Sequence, residues 1–204
     1  MNLDALKQAE TDFLLRYPGG FEHPDMVAVG KKHNVSKVSE YIHENLGKAA
    51  FSKPTSALDH VAKVVSRASL VSMFEKPKFQ KMIKSMRLRK KQDLAEAFCE
   101  LLYGKKHLGF AAVVEELREF KMAKWTIVSL LPAYFDLQNE VFIKPTTAKL
   151  IIKNLELDLK YNARPDFEFY QGFQSAIQEA KKHVDPKLAP NNPAFCGFMM
   201  MSFE

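Results

Sequence analysis

The sequence predicts an all-α fold, a compact irregular bundle of roughly eight to eleven helices in one domain over residues 1–204. Apolar residues recur at three- and four-residue spacing along most of the chain, which is the period of an amphipathic helix. No stretch shows short alternating strands separated by regularly spaced turns. The 204 residues are 47% hydrophobic and 26% charged, a composition typical of globular proteins.

Capping and breaking residues place the first four predicted helices. The first begins near Leu3 and ends at the Tyr17–Gly20 turn, and the second opens at Pro24. A third helix is predicted to end at Gly47, and a fourth to follow Pro54. Each segment has one apolar stripe, so each is expected to cover part of a shared core.

The middle of the chain is more apolar. Met122–Leu131 is apolar nearly all round and holds the only tryptophan, Trp125, which predicts a buried central helix that stops near Pro132. Residues 134–147 then interrupt the helical pattern and include Val141–Ile143, a run too short for a typical strand. If the single domain is subdivided at all, we expect the boundary in this segment.

Three further helices are predicted after this segment. The first follows the Lys144–Thr147 stretch, the longest begins at Pro165–Asp166, and the last is capped by Asn191–Pro193. Residues 194–204 are rich in phenylalanine and methionine. This tail is expected either to pack into the fold or to cover a second subunit of a homo-oligomer.

Positive charge is concentrated in one short stretch, Lys76–Lys91, which we name the cationic segment. The whole chain carries a formal charge of +6, and this segment holds eight basic residues and no acid, so the remainder sums to −2. The basic residues are Lys76, Lys78, Lys81, Lys84, Arg87, Arg89, Lys90 and Lys91. Its apolar residues share one helical face: Phe79, Met82, Ile83 and Met86. The pattern predicts a helix that buries this face and leaves a cationic ridge in water, which is typical of phosphate-contacting surfaces.

A second anion-binding stretch is predicted further along the chain. Thr146 or Thr147 is expected to cap a helix whose first amides are free. Lys144 and Lys149 add positive charge beside that helix end, so the stretch suits one phosphate. The alternative is an ordinary capped helix with two solvated lysines.

Motifs for catalysis and for cofactors are missing from the sequence. The six histidines are scattered without zinc-ligand spacing, and no glycine-rich phosphate loop is present. Two pairs of glutamates, at positions 96 and 100 and at 115 and 119, fall on predicted solvated helix faces. We therefore predict no catalytic residue, no metal and no cofactor, and we favour a protein that is not an enzyme.

Cysteine use and hydropathy bear on the compartment. Cys99 and Cys196 are too few for a disulfide framework, which favours the reducing cytoplasm. No apolar run reaches the roughly 20 residues of a membrane span, and Met1–Glu10 does not resemble a secretory signal. We expect a cytoplasmic protein with no membrane partner.

The stretch from Trp125 to Lys149, with Leu131–Phe135 and Phe142–Thr146 inside it, resembles a pattern in uncharacterised bacterial proteins of helical type. With Pro190–Asn192 the resemblance covers about a quarter of the chain. The resemblance implies no activity and no catalytic residue.

Three functional hypotheses remain from the sequence. The leading one is binding of nucleic acid or another polyanion through the cationic segment, with Lys144–Lys149 as a further phosphate contact. Tyr103, Tyr134 and Tyr161 lie near helix ends and would suit base stacking if exposed. The alternatives are a protein-interaction or self-assembly module using residues 194–204, and an enzyme without a readable motif.

Overall fold

The computed structural model describes residues 1–204, and their backbone forms ten helices of ten residues or more and two shorter ones. Their bounds in chain order are α1 (Leu3–Arg16), α2 (Pro24–His33), α3 (Val35–Asn45), α4 (Pro54–Arg67), α5 (Glu75–Ser85), α6 (Leu88–Tyr103), α7 (Lys106–Arg118), α8 (Trp125–Val128), α9 (Leu130–Phe135), α10 (Pro145–Asn154), α11 (Phe167–Lys181) and α12 (Asn192–Phe203). Three 3₁₀ helices lie at Gly20–Glu22, Lys48–Ser52 and Pro186–Leu188. No strand is present, so the predicted all-α fold is confirmed. None of the helices combines the length and the apolar character needed to cross a bilayer.

Side-chain caps fix the last two helices where the sequence places them. The Asp166 carboxylate accepts a hydrogen bond from the Phe169 amide (2.8 Å), which begins α11. The Asn191 side chain likewise accepts from the Ala194 amide (2.9 Å) and begins α12. Each cap satisfies one amide that the helix itself leaves free.

The helix break expected at Pro132 is wrong. The apolar stretch divides earlier, at Ser129, and Pro132 lies in the first turn of α9. A proline is tolerated there because the first amides of a helix have no partner within it. The Ser129 hydroxyl is fully buried, donates to the Trp125 carbonyl (2.6 Å) and accepts from the Ile143 amide (2.9 Å).

Part of the 134–147 segment is buried in the core. Tyr134, Val141 and Ile143 are buried within one continuous cluster of 53 buried apolar residues. The side-chain amide of Asn192 donates a hydrogen bond to the backbone carbonyl of Glu140 (2.8 Å). The backbone N–H of Asn192 donates to the carbonyl of Leu137 (2.8 Å). These bonds tie the segment to α12, so the place where the pattern suggested a boundary is part of the shared core.

A buried carboxylate connects two of the later helices, α7 and α11. Glu140 is 5% exposed and accepts a hydrogen bond from the Tyr170 hydroxyl of α11 (2.7 Å). Its other oxygen is paired with Lys106 of α7. Burial, followed by the neighbouring Glu140 charge, raises the pKa of Tyr170 well above its ordinary value. Both oxygens of this carboxylate are therefore satisfied within the fold.

Helices α6 and α7 pack against each other more extensively than any other pair of helices. Gly109 of α7 is buried and lies directly against the backbone of Leu101 and Glu100 in α6. A Cβ at Gly109 would overlap that backbone, so only glycine permits this approach. The pair positions the start of α6, which carries Arg89, Lys90 and Lys91 of the cationic segment.

Two buried acidic groups predict that the fold loses stability at alkaline pH. Burial raises the pKa of the Cys196 thiol from 9.0 to about 12, against the opposing effect of Lys181. Burial also raises the pKa of Tyr134 to about 12. The unfolded chain loses these protons first, so the native state holds more protons above pH 9 and stability falls as pH rises. For Cys196 the loss between about pH 9 and pH 11 is about 2 kcal/mol.

Urea unfolding at a series of pH values measures this loss. The variant Cys196→Ala is expected to show a shallower decline above pH 9, while Cys99→Ala, at a half-buried site, changes the slope less. An unchanged slope in Cys196→Ala would contradict the assignment.

Candidate polyanion-binding surface

The cationic segment folds as two helices and not as one. Its first half forms α5, which ends at Ser85, and Arg87 is the extended residue before α6. The predicted apolar face is confirmed, since Phe79, Met82, Ile83 and Met86 are all buried. The bend places Arg87, Arg89, Lys90 and Lys91 at the N-terminal end of α6.

Two of the eight basic residues are neutralised by carboxylates. Arg89 Nε lies 3.2 Å from Asp93, and Lys90 Nζ lies 3.2 Å from Glu116 and 3.1 Å from Glu119. Hydrogen bonds to Glu119 and Glu116 raise the pKa of Lys90 above its ordinary value. The remaining six form no ion pair: Lys76, Lys78, Lys81, Lys84, Arg87 and Lys91. Of these, Lys76 and Lys91 are half-buried and the other four are exposed.

A groove with a volume of about 200 Å³ runs between α4 and α5, and we name it the α4–α5 groove. Lys63 of α4 and Lys84 of α5 both line it, and Asp59 is its one acid. Gln80 donates to the Ser66 hydroxyl across it (2.5 Å). Gln80 and Lys84 also line an adjoining shallow cleft of about 480 Å³ that includes Lys81. The exposed side of α5 therefore presents polar and cationic side chains to the groove and to the shallow cleft.

Sequence reasoning missed the basic residues of α4. Lys63 and Arg67 are exposed, lie at i and i+4, and both cover the ring of Tyr41, with Lys63 Nζ at 5.2 Å and Arg67 Cζ at 4.3 Å from its centroid. These cation–π contacts hold both heads over the Tyr41 ring, and of the two residues Lys63 lines the groove. The i, i+4 spacing was visible in the sequence, but the pairing of α4 with α5 was not.

A larger cleft of about 710 Å³ lies where α5 begins, and we name it the α5–α10 cleft. It is lined by Lys76 from the cationic segment and by Lys144 and Thr146 from the second predicted stretch. The structure thus brings one residue of the first predicted site together with two of the second. Thr147 is half-buried and does not line the cleft. Lys149 lies over the ring of Tyr161, a lining residue, with Nζ 4.7 Å from its centroid.

The predicted threonine cap is wrong. Helix α10 begins at Pro145, and Lys144 at the capping position has no side-chain acceptor. Proline fits the first helical position without loss of a hydrogen bond, so the helix starts two or three residues earlier than a threonine cap requires. The threonines lie in the first turn, and Thr146 is exposed at the cleft.

The polar groups of the cleft differ in what they already bind. Glu75 accepts from Lys124 (2.9 Å) and from the Thr126 hydroxyl (2.8 Å), so this carboxylate is satisfied. The Ser69 hydroxyl lies 2.8 Å from His33 Nδ1. The buried hydroxyl of Tyr134 has no hydrogen-bond partner.

Exposed aromatic side chains lie elsewhere than predicted. Tyr134 is fully buried, and the half-buried Tyr103 donates to the Leu46 carbonyl (2.9 Å). The half-buried Tyr161 lines the α5–α10 cleft. The exposed aromatic is Phe74, which is 73% exposed immediately before α5. Sequence reasoning did not single it out because an isolated phenylalanine reads as core.

One face of α5 connects the two concave regions. Lys76, Gln80 and Lys84 follow at i, i+4 and i+8, so they form one stripe along the helix. The first lines the α5–α10 cleft and the other two line the α4–α5 groove. We name this path from cleft to groove the cationic surface. No protein family, curated protein or solved structure matches this chain, so its function is inferred from this geometry.

Proposed function

We propose that this chain binds a nucleic-acid strand through the cationic surface. The observation that carries the proposal is the set of six basic residues without a carboxylate partner, concentrated along α5 and the start of α6. A phosphate backbone supplies the negative charge that the fold does not.

Basic residues at the N-terminal end of α6 are unfavourable for the helix itself, which supports a binding role for their charge. The first turn of a helix favours acids, since its free amides carry partial positive charge. Arg87 and Lys91 lie at this end of α6 without a carboxylate partner, and the first turn of the helix holds no acid. Each such cation costs about 0.3–1 kcal/mol. Charge retained against a local preference is expected where it serves binding.

The shape of the surface favours a strand over a flat bilayer. Lys63 of α4 and Lys84 of α5 line the α4–α5 groove together with the polar side chains of Gln80 and Ser66. A linear polyanion follows such a groove, whereas a membrane surface cannot enter it. Phe74 offers an exposed ring at the end of α5 on which a base can stack.

Fluorescence anisotropy with a labelled single-stranded oligonucleotide tests the proposal. If about four cations contact phosphates, the slope of log affinity against log salt is roughly −2.8. Affinity then falls about 50-fold between about 50 and 200 mM salt. A slope near zero, or no binding at low salt, would overturn the proposal.

Charge reversal locates the site. Lys81→Glu/Lys84→Glu is expected to weaken binding about tenfold or more because both lysines lie beside the proposed strand. The control Lys153→Glu/Lys187→Glu changes the net charge equally, at exposed lysines outside the cationic surface. Equal losses in the two variants would mean that net charge alone drives binding. Binding to vesicles of anionic lipid, with none to the oligonucleotide, would also contradict the proposal.

A further inference from the structure

The α5–α10 cleft has the size and the mixed lining of a small-ligand site. Its volume of about 710 Å³ lies within the range of about 300–1,000 Å³ typical of such pockets. Its polar lining includes Lys76, Lys144 and Thr146, and its apolar lining includes Val71 and Met73. A ligand that fills it needs an anionic group and an apolar, preferably flat, part.

The charges in the cleft favour a dianion. Of its three lysines, Lys124 is paired with Glu75 (2.9 Å). Lys76 and Lys144 form no ion pair, which leaves two cations for a ligand. A phosphate monoester carries about −1.5 to −2 charges at pH 7, whereas a phosphodiester carries only one. Two uncompensated lysines therefore match a monoester better than an internal phosphate of a strand.

We propose that the α5–α10 cleft binds the phosphate monoester of a nucleotide. Lys76 and Lys144 contact the phosphate, the Thr146 hydroxyl donates to it, and the base lies against the apolar lining. This inference deepens the proposed function and rests on it for the choice of a nucleotide. The monoester belongs either to a free nucleoside monophosphate or to the phosphorylated end of a strand, and both share this chemistry.

The fluorescence of Trp125 reports directly on the cleft. Trp125 lines it and is the only tryptophan of the chain, so a change in its emission on titration arises at this site. We expect adenosine monophosphate to change the emission with saturation, and adenosine to bind at least about tenfold more weakly. Equal binding of the two would overturn phosphate recognition, as would the absence of any change with the monophosphate.

Two variants and one control test the assigned lysines. Lys76→Ala and Lys144→Ala are each expected to weaken adenosine monophosphate about tenfold through loss of a charge-assisted hydrogen bond. Lys153→Ala removes an exposed lysine from the opposite end of α10 and should leave the affinity unchanged. Circular dichroism confirms that each variant is folded. Unchanged affinity in both cleft variants would show that Lys76 and Lys144 do not contact the phosphate, contrary to the proposal.

A comparison of oligonucleotides with different 5′ ends tests this inference separately from the proposed function. An oligonucleotide with a 5′-phosphate is expected to bind more tightly than the same strand with a 5′-hydroxyl, and Lys144→Ala should abolish the difference. If both strands bind equally and the monophosphate does not bind, the cleft assignment fails while strand binding stands. If the monophosphate binds and neither strand does, strand binding fails while the cleft assignment stands.

Discussion

Replacement of Gly109 by alanine is expected to destabilise the protein by about 3 kcal/mol or more. The new methyl group overlaps the Leu101 backbone, which cannot move without separating α6 from α7. Natural domains are stable by only about 5–15 kcal/mol, so this loss is a large part of the total. For a chain of this length it lowers Tm by about 6–12 °C.

Gly197 provides the matched control. It also lies within a helix, α12, but a Cβ there meets no atom within 4 Å. Gly197→Ala is expected to raise stability by about 0.5–1 kcal/mol because alanine favours the helix more than glycine does. Thermal melts followed by circular dichroism measure both variants. A Gly109→Ala protein that melts with the wild type would show that α6 and α7 are further apart than described.

Deletion of α12 is expected to unfold the chain and not to change an oligomeric mass. Phe195, Phe198 and Met199 are all fully buried, and Phe198 lies edge-on to Phe13 of α1, with ring centroids 5.2 Å apart. Truncation of each phenylalanine to alanine alone costs about 3–5 kcal/mol. The loss of all three side chains therefore approaches or exceeds the stability of a typical domain.

Light scattering and circular dichroism of the truncated chain decide between the two roles of this tail. The self-assembly interpretation would be supported if the truncated chain stays folded as a monomer while the full chain forms a larger assembly. The single substitution Phe198→Ala tests the same packing. It is expected to lower the free energy of unfolding, measured in urea, by about 3–5 kcal/mol. Met201→Ala, at a half-buried position of the same helix, should cost much less.

Local chemistry allowed most helices to be predicted. Pro24, Asp166 and Asn191 are strong start signals, and the structure places helix starts at or beside each of them. The break between α5 and α6 was missed because Met86 and Arg87 include no glycine or proline. Pro132 was misread because a proline marks a helix start as well as a helix end.

The surface was harder to predict than the helices. Charge counting located the cationic segment, because clustering along the chain is visible in the sequence. It could not place Lys144 beside Lys76, or Lys63 beside Lys84, because those pairs form through packing between distant segments. The pairing of Lys90 with Glu116 and Glu119 was hidden for the same reason.

The contact between α1 and α12 has a consequence for how the chain folds during synthesis. Phe13 of α1 packs on Phe198, and the Asn2 amide donates to the Leu155 carbonyl (2.7 Å). Because α1 precedes α12 in the chain, α1 is synthesised before the segments that cover its apolar side. The α6–α7 hairpin, built from neighbours in sequence, can form while translation continues.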